Sequence, residues 1–260
     1  MSDMKNSLLI FFKKYKPKMS FMKTTSILLF SSAFFCLVCL ASCIRLHAIE
    51  GNGNVTMENR NVSPYSEVRS EGSFNVYISY DIVQSVKVEA EENLLPYIET
   101  DVHGSTLIIK TRDHRNIENN YPIRIYIKTP TIGNIELSGS GMINCDSVNA
   151  SYLNLHLSGS GDMSVIALSN KIKAHVSGSG EINLRGIANE TDFDINGSGD
   201  IHSYNLQQDT CFADISGSGD MYVYVVKFLD VRISGSGKVH YQGNPVVNTS
   251  ITGSGMVIHE

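Results

Sequence analysis

The sequence predicts an all-β fold: a parallel β-helix, or β-solenoid, of about seven 18–20-residue coils, preceded by an irregular β-rich cap region. Two observations predict it, a repeated triplet and a strand-like alternation between the triplets. The triplet Gly-Ser-Gly begins at residues 139, 159, 178, 197, 217, 235 and 253. Self-similarity at a nearly constant period is typical of solenoid proteins, in which each repeat stacks on the next.

Between the triplets, side chains alternate at the period of a β-strand. In the fourth repeat Phe193, Ile195 and Ile201 share one parity, whereas Asp194 and Asp200 share the other. This alternation indicates strands with one buried face. Since it continues through the triplets, we expect unbroken strands with glycines toward the core and serines outward. The near-constant period favours one coil per repeat over a series of antiparallel hairpins.

The N-terminus predicts export. A lysine-rich stretch precedes the apolar run from Ile27 to Leu40, whose 14 residues are fewer than the about 20 that a membrane-spanning helix needs. That length is typical of a signal peptide. Two small residues then precede Cys43, a pattern that resembles a bacterial lipobox. We therefore expect residues 1–42 to be a lipoprotein signal peptide and Cys43 to be lipidated. The alternative is an ordinary signal peptide with an incidental cysteine.

The chain beyond the signal peptide divides into three predicted parts. Residues 43–50 form a tether, residues 51–130 a β-rich N-terminal or capping region, and residues 131–260 the Gly-Ser-Gly repeat solenoid. Acyl chains on the tether predict attachment to a membrane. The residue after the cysteine is Ile44, not Asp, which by analogy with lipoprotein sorting favours an outer-membrane lipoprotein of the cell envelope.

The charge balance excludes one class of partner. Removal of residues 1–42 leaves 15 basic and 25 acidic side chains. A protein with this sign of charge lacks the basic surface that nucleic acid binding requires. Within the solenoid Cys145 and Cys211 are 66 residues apart, on the order of 16 Å along a stack of strands. A disulfide needs Cα atoms within about 7 Å, so we expect both thiols to be unpaired.

A first column of outward residues lies three positions before each triplet. It contains His156, His175, Asp194, Asp214 and Arg232. Histidine and carboxylate side chains together can bind a metal ion, and a β-helix enzyme such as a polysaccharide lyase or hydrolase can use Asp and Arg. A third interpretation is a polar ladder of cross-strand pairs. The linear arrangement favours this ladder, because residues on successive coils do not converge on one point.

A second outward column follows the triplets and contains Asp162, Glu181, Asp200 and Asp220. Carboxylates spaced about 4.8 Å apart repel one another unless a cation neutralises them. Calcium binds oxygen ligands flexibly, so weak calcium binding is one interpretation and simple solvation is the other. We expect no other cofactor.

The last triplet is followed by the apolar residues Met256, Val257 and Ile258. An exposed, apolar strand edge tends to pair with another strand. We therefore expect homo-oligomers that form by end-to-end or lateral β-contacts.

These features together resemble a known family. The segment Ser63-Pro64-Tyr65, the segment Phe74 to Ile78, the stretch Glu92 to Pro96 and the Ser-Gly-Ser-Gly-Asp series look like the "putative auto-transporter adhesin, head GIN domain" family of Bacteroidetes. The resemblance covers about residues 51–260 and implies a β-helical fold and a role in adhesion. It carries over no catalytic motif. We therefore expect a non-enzymatic envelope protein with a glycan or protein ligand; the alternative is a carbohydrate-active enzyme that uses Asp194, Asp214 and Arg232.

Overall fold

The computed structural model describes residues 48–260. Within them, two short 3-10 helices, Leu95–Tyr97 and Arg112–His114, accompany a large set of strands. The strands are β1 (Ile49–Glu50), β2 (Val55–Arg60), β3 (Glu67–Glu71), β4 (Asn75–Tyr80), β5 (Ser85–Glu91), β6 (Ile98–His103), β7 (Thr106–Thr111), β8 (Ile117–Glu118), β9 (Arg124–Thr129), β10 (Asn134–Gly139), β11 (Met142–Gly159), β12 (Asp162–Gly178), β13 (Glu181–Gly197), β14 (Asp200–Gly217), β15 (Asp220–Gly235), β16 (Lys238–Gln242), β17 (Val246–Gly253) and β18 (Met256–His259). No helix in this part of the chain is long and apolar enough to span a membrane. The predicted signal peptide and Cys43 lie outside the described residues.

The repeat region is a β-solenoid of about seven turns, as the sequence predicted. Strands β11 to β15 each contain 16 to 18 residues and follow almost a whole turn. Each pairs in parallel with the strand one turn later, and the first glycine of one triplet pairs with the first glycine of the next. In the last turns β15 pairs with both β16 and β17, and β16 pairs with β18.

The N-terminal strands continue the same sheet, except β1 and β8, which pair in parallel with each other in a separate two-stranded sheet. β10 pairs in parallel with both β3 and β11, and β4 pairs in parallel with both β9 and β11. Antiparallel pairs then close this end, β2 with β5, β5 with β9 and β6 with β7. The irregular strands expected before the solenoid therefore stack directly against its first turns.

A buried carboxylate fastens the first described residues to this cap. Glu91 is fully buried and accepts hydrogen bonds from the Gly53 backbone N–H at 2.6 Å, the Asn120 backbone N–H at 2.8 Å and the Asn120 side-chain amide at 2.9 Å. These donors, above all the Asn120 side chain, lower the pKa of Glu91, because they stabilise its ionised form more than burial destabilises it.

The other end of the sheet is open. The outer edges of β17 and β18 pair with no further strand among residues 48–260. Side chains that continue the core columns are partly exposed there, Ile251 by 42%. The 12 residues of these two strands include no Lys, Arg, Asp or Glu, the side chains that commonly protect an edge from pairing.

The triplets differ from the prediction in one respect. The strands do not run through them; each of β11 to β15 ends at the first glycine of a triplet, and the following Ser-Gly forms a bend. The reason is the backbone of that first glycine, which has φ between +119° and +143° in the solenoid turns, for example +143° at Gly197. L-residues rarely adopt this conformation, so a bend here requires glycine.

The predicted directions of the triplet residues are otherwise as expected. In the turns from Gly139 to Gly237, the serine is exposed and the second glycine is buried, whereas the first glycine is only half-buried. Apolar residues at alternate positions, such as Leu157, Val176 and Ile195, are fully buried and stack in columns along one continuous core.

The two cysteines lie in this core on separate turns. Cys145 pairs with Val165, and Cys211 pairs with Leu229. Both thiols are free and buried. Burial raises the pKa of each to about 12, so neither is a reactive thiolate near neutral pH.

Candidate functional site

The strand segments that precede the triplets form one broad sheet face with three outward columns, here called the charged face. The first column contains the five residues that the sequence identified and extends beyond them; it is Arg69, Glu136, His156, His175, Asp194, Asp214, Arg232 and Ser250. The second is Glu67, Asn134, Asn154, Lys173, Asp192, Phe212, Asp230 and Asn248. The third is Tyr152, Lys171, Glu190, Thr210, Phe228 and Val246. Since neighbouring strands lie about 4.8 Å apart, each column is a straight ladder.

Two adjacent turns segregate charge across this face. Within these three columns, β12 contributes Lys171, Lys173 and His175, here called the basic rung. β13 contributes Glu190, Asp192 and Asp194, here called the acidic rung.

The two rungs pair one to one. The Lys171 ammonium lies 2.6 Å from the Glu190 carboxylate, Lys173 lies 3.4 Å from Asp192, and His175 Nδ1 lies 2.5 Å from Asp194 Oδ1. Each pair joins residues on adjacent turns. The rungs therefore bind successive turns together and present a positive band beside a negative one.

The first column continues beyond the rungs on both sides. The rings of His156 and His175 stack with centroids 4.9 Å apart and planes within 5°. Arg69 donates to Glu136 at 2.7 Å at the N-terminal end. Arg232 lies 3.8 Å from Asp214.

Asp194 and Asp214 are neighbours in this column. Partial burial raises the pKa of Asp214, and the negative charge of Asp194 raises it further. A carboxyl group with a raised pKa takes up a proton at a higher pH than an ordinary aspartate does.

The structure thus places all five predicted residues of the first column in one straight ladder, one residue on each turn. Each is the register partner of its neighbours one turn away. No group of three or more His, Cys, Asp or Glu side chains that could hold a metal ion is found in residues 48–260. The arrangement can present charges and hydrogen-bond groups to an extended partner.

The second and third columns were not predicted from the sequence. Lys171, Lys173, Glu190 and Asp192 stand two and four positions before the members of the first column. The same alternation therefore also marked them as outward residues. The prediction considered only the position three residues before each triplet. The segregation of charge by turn becomes visible only when all outward positions of a turn are compared.

The second predicted column is also aligned, and backbone groups satisfy part of it. Glu181 pairs with both Asp162 and Asp200. The Asp200 carboxylate accepts the backbone N–H of Asp220 at 2.8 Å, and the Asp220 carboxylate accepts that of Lys238 at 2.8 Å. These bonds offset part of the repulsion between carboxylates.

Calcium binding by this column stays a prediction. A thermal unfolding midpoint that does not change between calcium and EDTA would contradict it.

An aromatic cluster near the open end was not predicted. Tyr222 is stacked between His202 at 4.6 Å and His240 at 4.8 Å. Glu260 accepts from His240 Nδ1 at 2.7 Å and from the Tyr204 hydroxyl at 3.0 Å. The bond from His240, followed by that from Tyr204, lowers the pKa of Glu260. Since the three stacked rings cover one another's faces, this cluster ties the last turns together.

The fold and the charged face define a β-solenoid protein with an extended polar surface. The chain belongs to the family described as "Putative auto-transporter adhesin, head GIN domain", whose model matches residues 64–245. No curated protein matches it.

Three solved structures are similar to it. A "putative adhesin" from Bacteroides fragilis has a TM-score of 0.77 and 20% sequence identity and covers 82% of this chain and 100% of its own. A "putative lipid binding protein" from Parabacteroides distasonis has a TM-score of 0.70 and 25% identity, with 82% and 100% covered. A "putative adhesin" from Parabacteroides merdae has a TM-score of 0.68 and 19% identity, with 82% and 99% covered.

Proposed function

We propose that this protein is a non-enzymatic binding module of the bacterial cell envelope, which presents its charged face to a glycan or protein partner. The observation that carries the proposal is the flat ladder of paired charges, His175 with Asp194 at its centre. Such a surface suits an extended partner, because its hydrogen-bonding groups repeat at the spacing of the turns.

Family membership supports this class of function. The family description names an adhesin, and the similar protein from Parabacteroides distasonis is described as lipid binding. Both descriptions name binding and not catalysis.

The proposal includes attachment by a lipid on Cys43 and residence in the outer membrane. Acylation at Cys43 would leave a tether of only a few residues before β1. That length would hold the N-terminal cap near the bilayer. In the native cell, Cys43→Ala should abolish incorporation of labelled fatty acid and release the protein from the membrane fraction. Persistent labelling of this variant would contradict the anchor.

Binding and catalysis are separated by one experiment. The chain from residue 44 onward is incubated with immobilised acidic polysaccharides and with soluble proteins of the envelope. We expect retention of a partner without release of shortened polysaccharide.

Asp194→Asn is the control for the enzymatic alternative. Product formation by the natural chain that this variant abolishes would establish the enzyme that uses Asp194, Asp214 and Arg232. It would also contradict the proposal.

A further inference from the structure

A notch interrupts the charged face near its N-terminal end. It has a volume of ≈ 390 Å³, within the about 300–1,000 Å³ typical of small-ligand sites. Its lining residues come from three successive turns and are Ser66, Glu67, Gly133, Asn134, Tyr152 and Asn154. The notch therefore combines a backbone floor, one aromatic side chain and several polar groups.

Tyr152 supplies the aromatic wall. Its side chain is 48% exposed, and its ring stacks on no other aromatic ring among residues 48–260. This differs from Tyr77 and Tyr126, whose rings stack at 5.4 Å and cover each other. A free ring face in a concave site is available for a flat apolar surface of a ligand.

The polar groups of the notch are already oriented. Glu67 accepts hydrogen bonds from the Ser105 hydroxyl at 3.1 Å and the Thr106 hydroxyl at 2.7 Å, which fix its carboxylate. The Asn154 side-chain amide donates a hydrogen bond to the side-chain oxygen Oδ1 of Asn134 at 2.8 Å. That bond leaves the Asn134 amide N–H groups and the Asn154 carbonyl oxygen available to a ligand.

We propose that this notch binds one saccharide unit of a neutral or N-acetylated glycan. A sugar ring has an apolar C–H face, which fits against Tyr152, and a rim of hydroxyl groups, which need both donors and acceptors. Glu67 and the two asparagines supply both. The carboxylate of Glu67 disfavours an anionic sugar or a phosphate. This inference rests on the proposed function, since it names the ligand class of the charged face.

Gly133 allows the notch to be filled without disturbing the backbone. A Cβ atom built there meets only the Tyr152 carbonyl oxygen, at 3.8 Å, which is an ordinary contact, and its φ is not positive. Gly133→Val therefore has room for its Cβ atom, and its two γ-methyl groups should occupy ligand space. Tyr152→Ala removes the wall. Tyr121→Ala is a matched control, because Tyr121 is similarly exposed, by 51%, but does not line the notch.

The test measures binding of glucose, mannose and N-acetylglucosamine tetrasaccharides to the chain from residue 44 onward by saturation-transfer NMR and calorimetry. We expect at least one to bind, at least a tenfold weaker affinity for Tyr152→Ala and Gly133→Val, and no change for Tyr121→Ala. Circular dichroism checks the fold of each variant.

The opposite results separate the notch from the broader proposal. If a tetrasaccharide binds both notch variants as tightly as the natural chain, the notch is wrong, whereas glycan binding by the charged face stands. If no tetrasaccharide binds but an envelope protein is retained, the saccharide inference is overturned and the binding module remains.

Discussion

Substitution of one triplet glycine should destabilise the solenoid more than substitution of a glycine whose new Cβ would meet no neighbouring turn. Gly197→Ala places a side chain at φ +143°, and its Cβ would lie under 3.0 Å from the Gly178 carbonyl oxygen one turn before. That same oxygen accepts the Ser198 backbone N–H at 2.8 Å. The substitution therefore strains the backbone and also separates two hydrogen-bonded turns.

The expected loss is the sum of these two effects. Backbone strain of this kind costs about 1–3 kcal/mol, and a lost hydrogen bond about 0.5–1.5 kcal/mol. We expect a decrease of about 3 kcal/mol in the free energy of unfolding, which for a chain of this size lowers Tm by roughly 6–12 °C. Urea denaturation followed by circular dichroism measures the first quantity and a thermal melt the second.

Two glycines serve as controls. Gly104→Ala has a positive φ of +65° but no atom within 4 Å of the new Cβ, so it should cost about 1–2 kcal/mol of strain alone. Gly133→Ala has neither effect and should be nearly neutral. If Gly197→Ala were no more destabilising than Gly104→Ala, close stacking of the triplets would not explain their glycines.

Three other parts of the molecule are tested by substitution or labelling: the buried Glu91, the two core cysteines and the edge strands β17 and β18. Glu91→Gln should destabilise the cap at pH 7, and the difference in unfolding free energy from the natural chain should shrink in acid. The reason is that the lowered pKa of Glu91 in the folded protein contributes stability that is present above the unfolded value of about 4.3 and is lost as the pH falls through the folded pKa. Urea unfolding at a series of acidic pH values measures this difference, and a difference that stays constant would argue against it. Cys145 and Cys211 should react with a thiol reagent only after unfolding, with a rate that follows urea concentration; rapid labelling of the native protein would show that the turns open. End-to-end association through β17 and β18 should appear in light scattering at micromolar concentration and be weakened by Thr249→Lys, whereas a strictly monomeric mass would refute it.

The repeat predicted most of the fold, because its period is set by backbone geometry. Stacked turns need nearly equal perimeters, so the spacing of the triplets gave the number of turns, and the alternation of residues such as Phe193 and Asp194 identified the buried face. The strand breaks at the triplets were not predicted. Alternation of side chains continues through a bend with positive φ, so the parity of Gly197 alone could not distinguish a strand from a corner.

The site was predicted only in part, for a different reason. The column through His175 was predicted because its members all lie three positions before a triplet. The basic and acidic rungs are seen only when all outward positions of two turns are compared. The notch beside Tyr152 depends on an irregular turn at Gly133, which lies before the regular repeats. The closure of the cap by Glu91 joins residues that are 29 to 38 positions apart, a pairing that no local pattern shows.

If the charged face binds the partner, exchange of the paired charges on this face should weaken binding. The exchange combines Lys171→Glu with Glu190→Lys and Lys173→Asp with Asp192→Lys. It keeps both ion pairs but exchanges their charges between the two rungs, and leaves His175 and Asp194 unchanged. A matched control exchanges Lys227 and Asp209, a pair at 2.8 Å outside this face.

The measurement is retention of each variant on arrayed envelope glycans and envelope proteins. Exchange on the charged face should reduce retention at least tenfold, with an unchanged unfolding midpoint, whereas the control exchange should leave retention unchanged. Equal retention of the natural chain and the face-exchanged variant would contradict the claim.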